Sequence, residues 1–185
     1  MKNIRNILIF AIGLTTTVFA QVDKINWLTI EEVEILQQKN PRKVLMDVYT
    51  TWCGPCKMMM KNTFTNKNVI KYINANYYAV KFDAESGRNV NFKGKMYTNP
   101  TYIEGQRGRK GQHEFAKALS VNSYPTIIYM DEELKVIAPI KGYQTPEKIE
   151  LYLKLFADNI YKTVESKEDF QKFQANFIPT FHLVN

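Results

Sequence analysis

The sequence predicts an α/β fold, a central β-sheet covered by helices. Helix-periodic and strand-like segments alternate along the chain. Two nearly continuous apolar runs with β-branched members, residues 43–49 and 77–83, read as buried strands. A third such run at 127–130 turns through Asp131-Glu132-Glu133 into a partner at 134–140, a hairpin signal.

Taken in order, the first helix follows Trp27-Leu28. Thr29 and Glu32 form a capping-box pattern, Ile30, Val33 and Leu36 share a face, and Pro41 ends the element. The 43–49 strand is interrupted by one carboxylate, Asp47. Cys-Gly-Pro-Cys at 53–56 then opens a helix through Met58, Met59 and Met60. Asn66 caps the next helix, which carries Val69, Ile70, Tyr72 and Ile73. The order helix, strand, helix, strand predicts parallel strands joined by a crossover. Residues 84–112 form an excursion of about 29 residues, long for a connection. Its Met96-Tyr97 and Tyr102-Ile103 pairs are expected to make a short hairpin or pack on the body. Its Gln106-Arg107-Gly108-Arg109-Lys110-Gly111 stretch is expected to be a solvated loop rather than a phosphate or nucleic-acid site. A short helix is expected at 113–121. Thr145-Pro146-Glu147 is a strong helix start, and Phe170, Phe173 and Phe177 mark a last amphipathic helix over 166–177 that packs back on the domain.

The chain has 185 residues, 45% hydrophobic and 23% charged, the balance of one folded domain with an appendage. Its first twenty residues have the layout of a cleaved secretory signal: Lys2 and Arg5, an apolar run from Ile7 to Leu14, then Val18-Phe19-Ala20. That run is short for a membrane span, so the mature chain is expected to be exported, to a periplasm, and not to be a membrane protein. The formal charge of +7 falls to about +5 without Lys2 and Arg5, and acidic residues disperse the remainder.

The chain has two cysteines, three positions apart. A disulfide closing so short a loop removes little chain entropy, so its value lies in chemistry or in metal binding. A zinc site would need two further ligands, and His113 and His182 lie far off in sequence; haem attachment would need a His where Lys57 stands. At a helix start, Cys53 meets unpaired N–H groups and the positive end of the helix dipole, which favour its thiolate. Pro55 suits the first turn, and Cys56 stands almost one turn on. The spacing fits an outer thiolate that attacks a disulfide and a second cysteine that resolves the mixed disulfide.

Trp52-Cys53-Gly54-Pro55-Cys56-Lys57 matches the thioredoxin active-site hexapeptide throughout. Asp47, six residues earlier, stands where that family has a buried aspartate. Tyr124-Pro125-Thr126 resembles its cis-proline loop, and Gly142 its late glycine. Between residues 25 and 159, with the excursion removed, the chain resembles the thioredoxin family. The resemblance implies a thioredoxin fold: a central mixed sheet of four or five strands with helices on both faces, in a domain spanning 21–159. The 84–112 insertion and a helical extension at 160–185 depart from the minimal pattern. It implies catalytic roles for Cys53 and Cys56, a proton relay at Asp47 with a pKa raised by burial, and Lys81 as its partner. Trp52, Gly54, Pro55, Tyr124 and a cis-Pro125 would form the substrate-binding surface. No cofactor is implied beyond the redox-active disulfide. The implied partners are protein thiols and disulfides, with a membrane protein as electron donor and no nucleic acid. The Gly-Pro pair resembles reducing thioredoxins, near about −270 mV, rather than strong oxidants near about −120 mV. The alternative is a binding or chaperone module that holds partners in the cis-Pro groove and on the basic insertion.

Overall fold

The computed structural model describes residues 24–106, 108–109 and 111–182. The signal at 1–20, Arg107 and Lys110 of the basic stretch, and the last three residues of the extension lie outside the described residues.

Five strands form one mixed sheet in the order β1-β3-β2-β6-β7. These are β1 (Trp27–Leu28), β2 (Lys43–Tyr49), β3 (Tyr77–Asp83), β6 (Thr126–Met130) and β7 (Val136–Lys141). β3 pairs in parallel with β1 and β2, while β6 is antiparallel to both β2 and β7. The crossover between β2 and β3 runs through α2 (Gly54–Asn62) and α3 (Lys67–Asn76). This is a thioredoxin fold, and the upper of the two expected strand numbers holds because Trp27-Leu28 adds an edge.

Side-chain alternation along β2 separates two cores. Leu45 joins Ala79, Ile127 and Tyr129 under α2, α3 and α5 (Pro146–Ala157). Val44, Met46 and Val48 join Val80, Phe82 and Ile128 under α1 (Ile30–Gln37) and α4 (Glu114–Ala118). Both faces are covered, which is why β2 and β6 read as apolar runs without polar alternation. The capping box at Thr29 and Glu32 forms as expected, and Thr145 caps α5 with Pro146 in its first turn. The 113–121 helix shortens to α4, with His113 as its cap.

The excursion carries its own two-stranded sheet, β4 (Val90–Phe92) with β5 (Lys95–Tyr97), turning through Lys93-Gly94 at positive φ. Of the two expectations for the 96–97 and 102–103 pairs, a hairpin between them or packing on the body, the first is therefore corrected. Met96-Tyr97 pairs backward with 90–91, because Lys93-Gly94 adopts the left-handed backbone a tight turn requires. Ile103 is 63% exposed, and the Tyr102 ring packs so closely over Gly87 that a Cβ there would clash with it. Glu31 of α1 pairs with Arg88 at 2.9 Å and accepts the Asn91 N–H, so the hairpin docks on the second core. The neck is closed by the His113 N–H on the Ala84 carbonyl, and by Asn99 Nδ2 donating to the Ser86 and Gly111 carbonyls. After α5, residues 160–163 form a 3₁₀ turn and α6 (Lys167–Asn176) leans Phe170 and Phe173 on the first core. Among the described residues no helix is long and apolar enough to cross a membrane.

Candidate active site

Cys53 is the N-cap of α2 and is bonded to Cys56, with their Cα atoms 5.3 Å apart. Its sulfur also accepts the Cys56 backbone N–H at 3.1 Å, a direct use of the unpaired donors at a helix start. Gly54 and Pro55 fill the first turn, both exposed, and the Lys57 N–H closes it on the Cys53 carbonyl at 3.2 Å. The expected outer cysteine is not outwardly placed in this oxidised form: Cys53 and Cys56 are each only 3% exposed.

Asp47 shares the Leu45 face of β2, since strand side chains alternate. Cys56 lies three positions before Met59, on the α2 face that enters the same core. Asp47 is buried, its Oδ1 has no hydrogen-bond partner among the described residues, and burial raises its pKa to about 7. The Lys81 charge partly opposes that rise. Lys81 stands opposite Asp47 in the β2–β3 register, but among the described residues the two make no ion pair. The expected pairing is thus corrected to an influence through space. Lys81 Nζ instead lies 4.7 Å from the centre of the Tyr49 ring, an aromatic that shares its side of the sheet. Lys81, Tyr49 and Cys56 line one open cavity of about 470 Å³.

The Tyr124–Pro125 peptide is cis, at the entry to β6. The Tyr124 ring stands edge-to-face with Trp52, centroids 6.1 Å apart. Trp52 donates its indole N–H to Glu85 at 2.9 Å, and the Arg109 guanidinium lies 4.5 Å above its ring. Gln112 donates to the Tyr124 hydroxyl at 3.0 Å and to the Val121 carbonyl at 2.6 Å. The structure thus gathers Cys53, Cys56, Trp52, Gly54, Pro55, Tyr124 and Pro125 around one helix start and the loop facing it, with Asp47 on the core side. Glu85, Arg109 and Gln112 escaped the sequence reading. Only Glu85 had a usable signal, since a half-buried indole N–H needs an acceptor. His113 is occupied structurally: its Nε2 lies 2.9 Å from the Arg88 carbonyl and its Nδ1 accepts the Phe115 N–H.

A model of a thioredoxin-like domain family matches residues 30–157, most of the chain. The chain belongs to this thioredoxin-like family. It is 32% identical over 112 residues to the thiol-disulfide oxidoreductase ResA of Bacillus thuringiensis, covering 60% of this chain and 61% of that protein. It is 31% identical over 94 residues to the chloroplastic thioredoxin Y of Oryza sativa, covering 51% of this chain and 54% of that protein. The matches therefore span a little over half the length of these curated relatives. A thioredoxin-fold protein from Helicobacter pylori superposes with a TM-score of 0.58 at 22% identity, over 74% of this chain and 82% of that one, and shows the shared fold.

Proposed function

We propose that this chain is an exported thiol–disulfide oxidoreductase that reduces disulfides in proteins. The observation that carries the reading is Cys53, seated as the N-cap of α2 and joined to Cys56 within the same turn. In the reduced form the Cys53 thiolate is favoured by the helix dipole and by the Cys56 N–H that now meets its sulfur. It attacks one sulfur of a substrate disulfide, forms a mixed disulfide and expels the other sulfur as thiolate. Cys56 then gives its proton to the Asp47 carboxylate and attacks the Cys53 sulfur. The substrate leaves as a second thiolate, and Cys53–Cys56 carries away the two electrons' deficit as a disulfide. A carboxyl with a pKa of about 7 suits this exchange, being both a competent acceptor and a ready donor near neutral pH. Trp52 and Tyr124 form the rim against which the substrate chain rests.

The reducing direction is supported by the Gly54-Pro55 pair, and export by the layout of residues 1–20. Both cysteines end each cycle oxidised, so a membrane protein supplies electrons from the cytoplasmic side. Kinship with a relative named thiol-disulfide oxidoreductase supports the reaction class. Expression of Cys56→Ser in the native host tests the reading: extracytoplasmic partners are expected to accumulate as mixed disulfides through Cys53. If the same partners are retained equally by Cys53→Ser, the chain is a binding module instead. An equilibrium titration against glutathione tests the direction, with a potential near about −270 mV expected and one near about −120 mV overturning it.

A further inference from the structure

The 84–112 segment leaves the sheet at β3 and returns at α4, yet it sends three side chains, those of Glu85, Arg109 and Gln112, to the rim of the redox centre. Arg109 lays its guanidinium 4.5 Å above the Trp52 ring, and Gln112 ties down the hydroxyl of Tyr124, which meets that ring edge-on. Trp52 is held from another side by Glu85, itself only 7% exposed. The indole is therefore a fixed platform, and the Arg109 charge on it has a defined place beside Cys53. Arg109 is exposed and makes no ion pair among the described residues. A guanidinium carries five N–H donors, more than one ring can meet, so Arg109 still offers a carboxylate a two-pronged partner. Lys57 and Lys61, also exposed, add positive charge along α2 on the other side of the disulfide.

We propose that Arg109 is a specificity-determining residue, selecting substrate disulfides flanked by Asp or Glu. The proposal rests on the disulfide-reductase reading above. It assigns the basic stretch of the excursion a role that a merely solvated loop would not have. A substrate strand laid along Trp52 and Tyr124 presents the residues next to its cysteine to the Arg109 edge. An acidic side chain there gains a charge-assisted hydrogen bond at a partly desolvated aromatic surface, where such a pair is worth more than in open water.

The test uses two ten-residue peptides, each with one internal disulfide, carrying either Glu or Gln on both sides of each cysteine. Pre-reduced protein is mixed with each peptide, quenched in acid and alkylated, and loss of the Cys53–Cys56 dithiol is followed by mass. The Glu peptide is expected to react about fivefold faster at low salt, an advantage that shrinks as ionic strength rises. Arg109→Ala is expected to bring the ratio to about one, and Arg109→Glu to reverse it. Lys95→Gln, which removes one charge from the excursion away from Trp52, is expected to leave the ratio unchanged. Equal rates in the unsubstituted protein, or a ratio untouched by Arg109→Ala, overturn the proposal. So does a ratio that falls equally in Lys95→Gln, which would make net charge the cause. Calorimetry of the oxidised protein with cysteine-free versions of the peptides separates the two readings. Arg109-dependent preference for the Glu peptide without any exchange would sink the reductase reading and leave the selecting site standing, whereas exchange without preference would sink the site alone.

Discussion

Two buried carboxylates, Asp47 and Glu150, lie on the same side of the sheet, and their surroundings treat them in opposite ways. Asp47 sits at the end of β2 nearest α2, with its Oδ1 lacking any hydrogen-bond partner among the described residues, and burial raises its pKa to about 7. Glu150, in the middle of α5, is fully enclosed but accepts four hydrogen bonds. They come from Lys154 Nζ at 2.6 Å, the Thr180 N–H at 2.6 Å and hydroxyl at 2.5 Å, and the Phe181 N–H at 2.8 Å. Burial pushes the Glu150 carboxyl up, but these donors outweigh it and hold it below the usual carboxylate range. A starved carboxylate exchanges its proton near neutral pH, as the proposed relay requires, and a saturated one is a clamp. Glu150 clamps residues 180–181 onto α5, and beside them Phe181 meets Tyr72 of α3 and the His182 carbonyl accepts from Asn66, the α3 cap.

The largest effect should come from breaking the clamp. Glu150→Ala strips the partners from two backbone N–H groups and is expected to cost about 3 kcal/mol in denaturant unfolding. Disulfide exchange per folded molecule should not change. A comparable fall in exchange would show that the tail reaches the redox centre.

Asp47→Asn should act in the reverse sense. The native carboxyl keeps its proton between its unfolded value of 3.8 and about 7, while the unfolded chain has released it. The native state therefore binds more protons, and stability falls as pH rises through that window. Asp47→Asn removes this cost, so a gain in stability is expected at pH 8 that vanishes below about pH 4. The same substitution is expected to slow resolution of the mixed disulfide by roughly 10- to 100-fold, read by rapid quench. Stability gained without that slowing would leave Asp47 a buried residue with no relay.

Glu150 has the opposite linkage. Its folded pKa is depressed, so its stabilisation is present above the ordinary value of 4.5 and is lost as pH falls through the folded value. Proteolysis of the tail should therefore accelerate only in acid. Thr180→Val removes one of the four donors and should cost about 1 kcal/mol, additive with nothing further in the Glu150→Ala background. The smallest effect is expected from Lys81→Met. Losing that opposing charge should move the pH midpoint of the resolution step upward, because Lys81 now holds the Asp47 pKa down.

Local chemistry made much of this legible in advance. The strands at 43–49 and 77–83 have the bounds that their apolar runs suggested, because both are covered on two faces. The caps at Thr29, Asn66 and Thr145 all form, since a cap depends on residues within one turn of itself. The Lys93-Gly94 turn is equally local, but Lys-Gly is a weaker hairpin signal than Asn-Gly or Asp-Gly. Glu150 gave no such sign. It stands between Ile149 and Leu151 in an amphipathic helix, and three of its four hydrogen bonds come from Thr180 and Phe181, about thirty residues away.

The sequence alone carried the proposed redox chemistry: two cysteines too close to staple anything, a proline in the helix start, and a carboxylate in an apolar strand. These depend on neighbours along the chain, where geometry follows from covalent spacing. Only the tertiary structure decided what surrounds that chemistry. It put Lys81 opposite Asp47 but turned toward Tyr49, folded the excursion back so that Arg109 covers Trp52, and brought Thr180 to Glu150. Each of those contacts joins residues far apart in sequence, and its existence depends on how layers stack rather than on any pattern within one element.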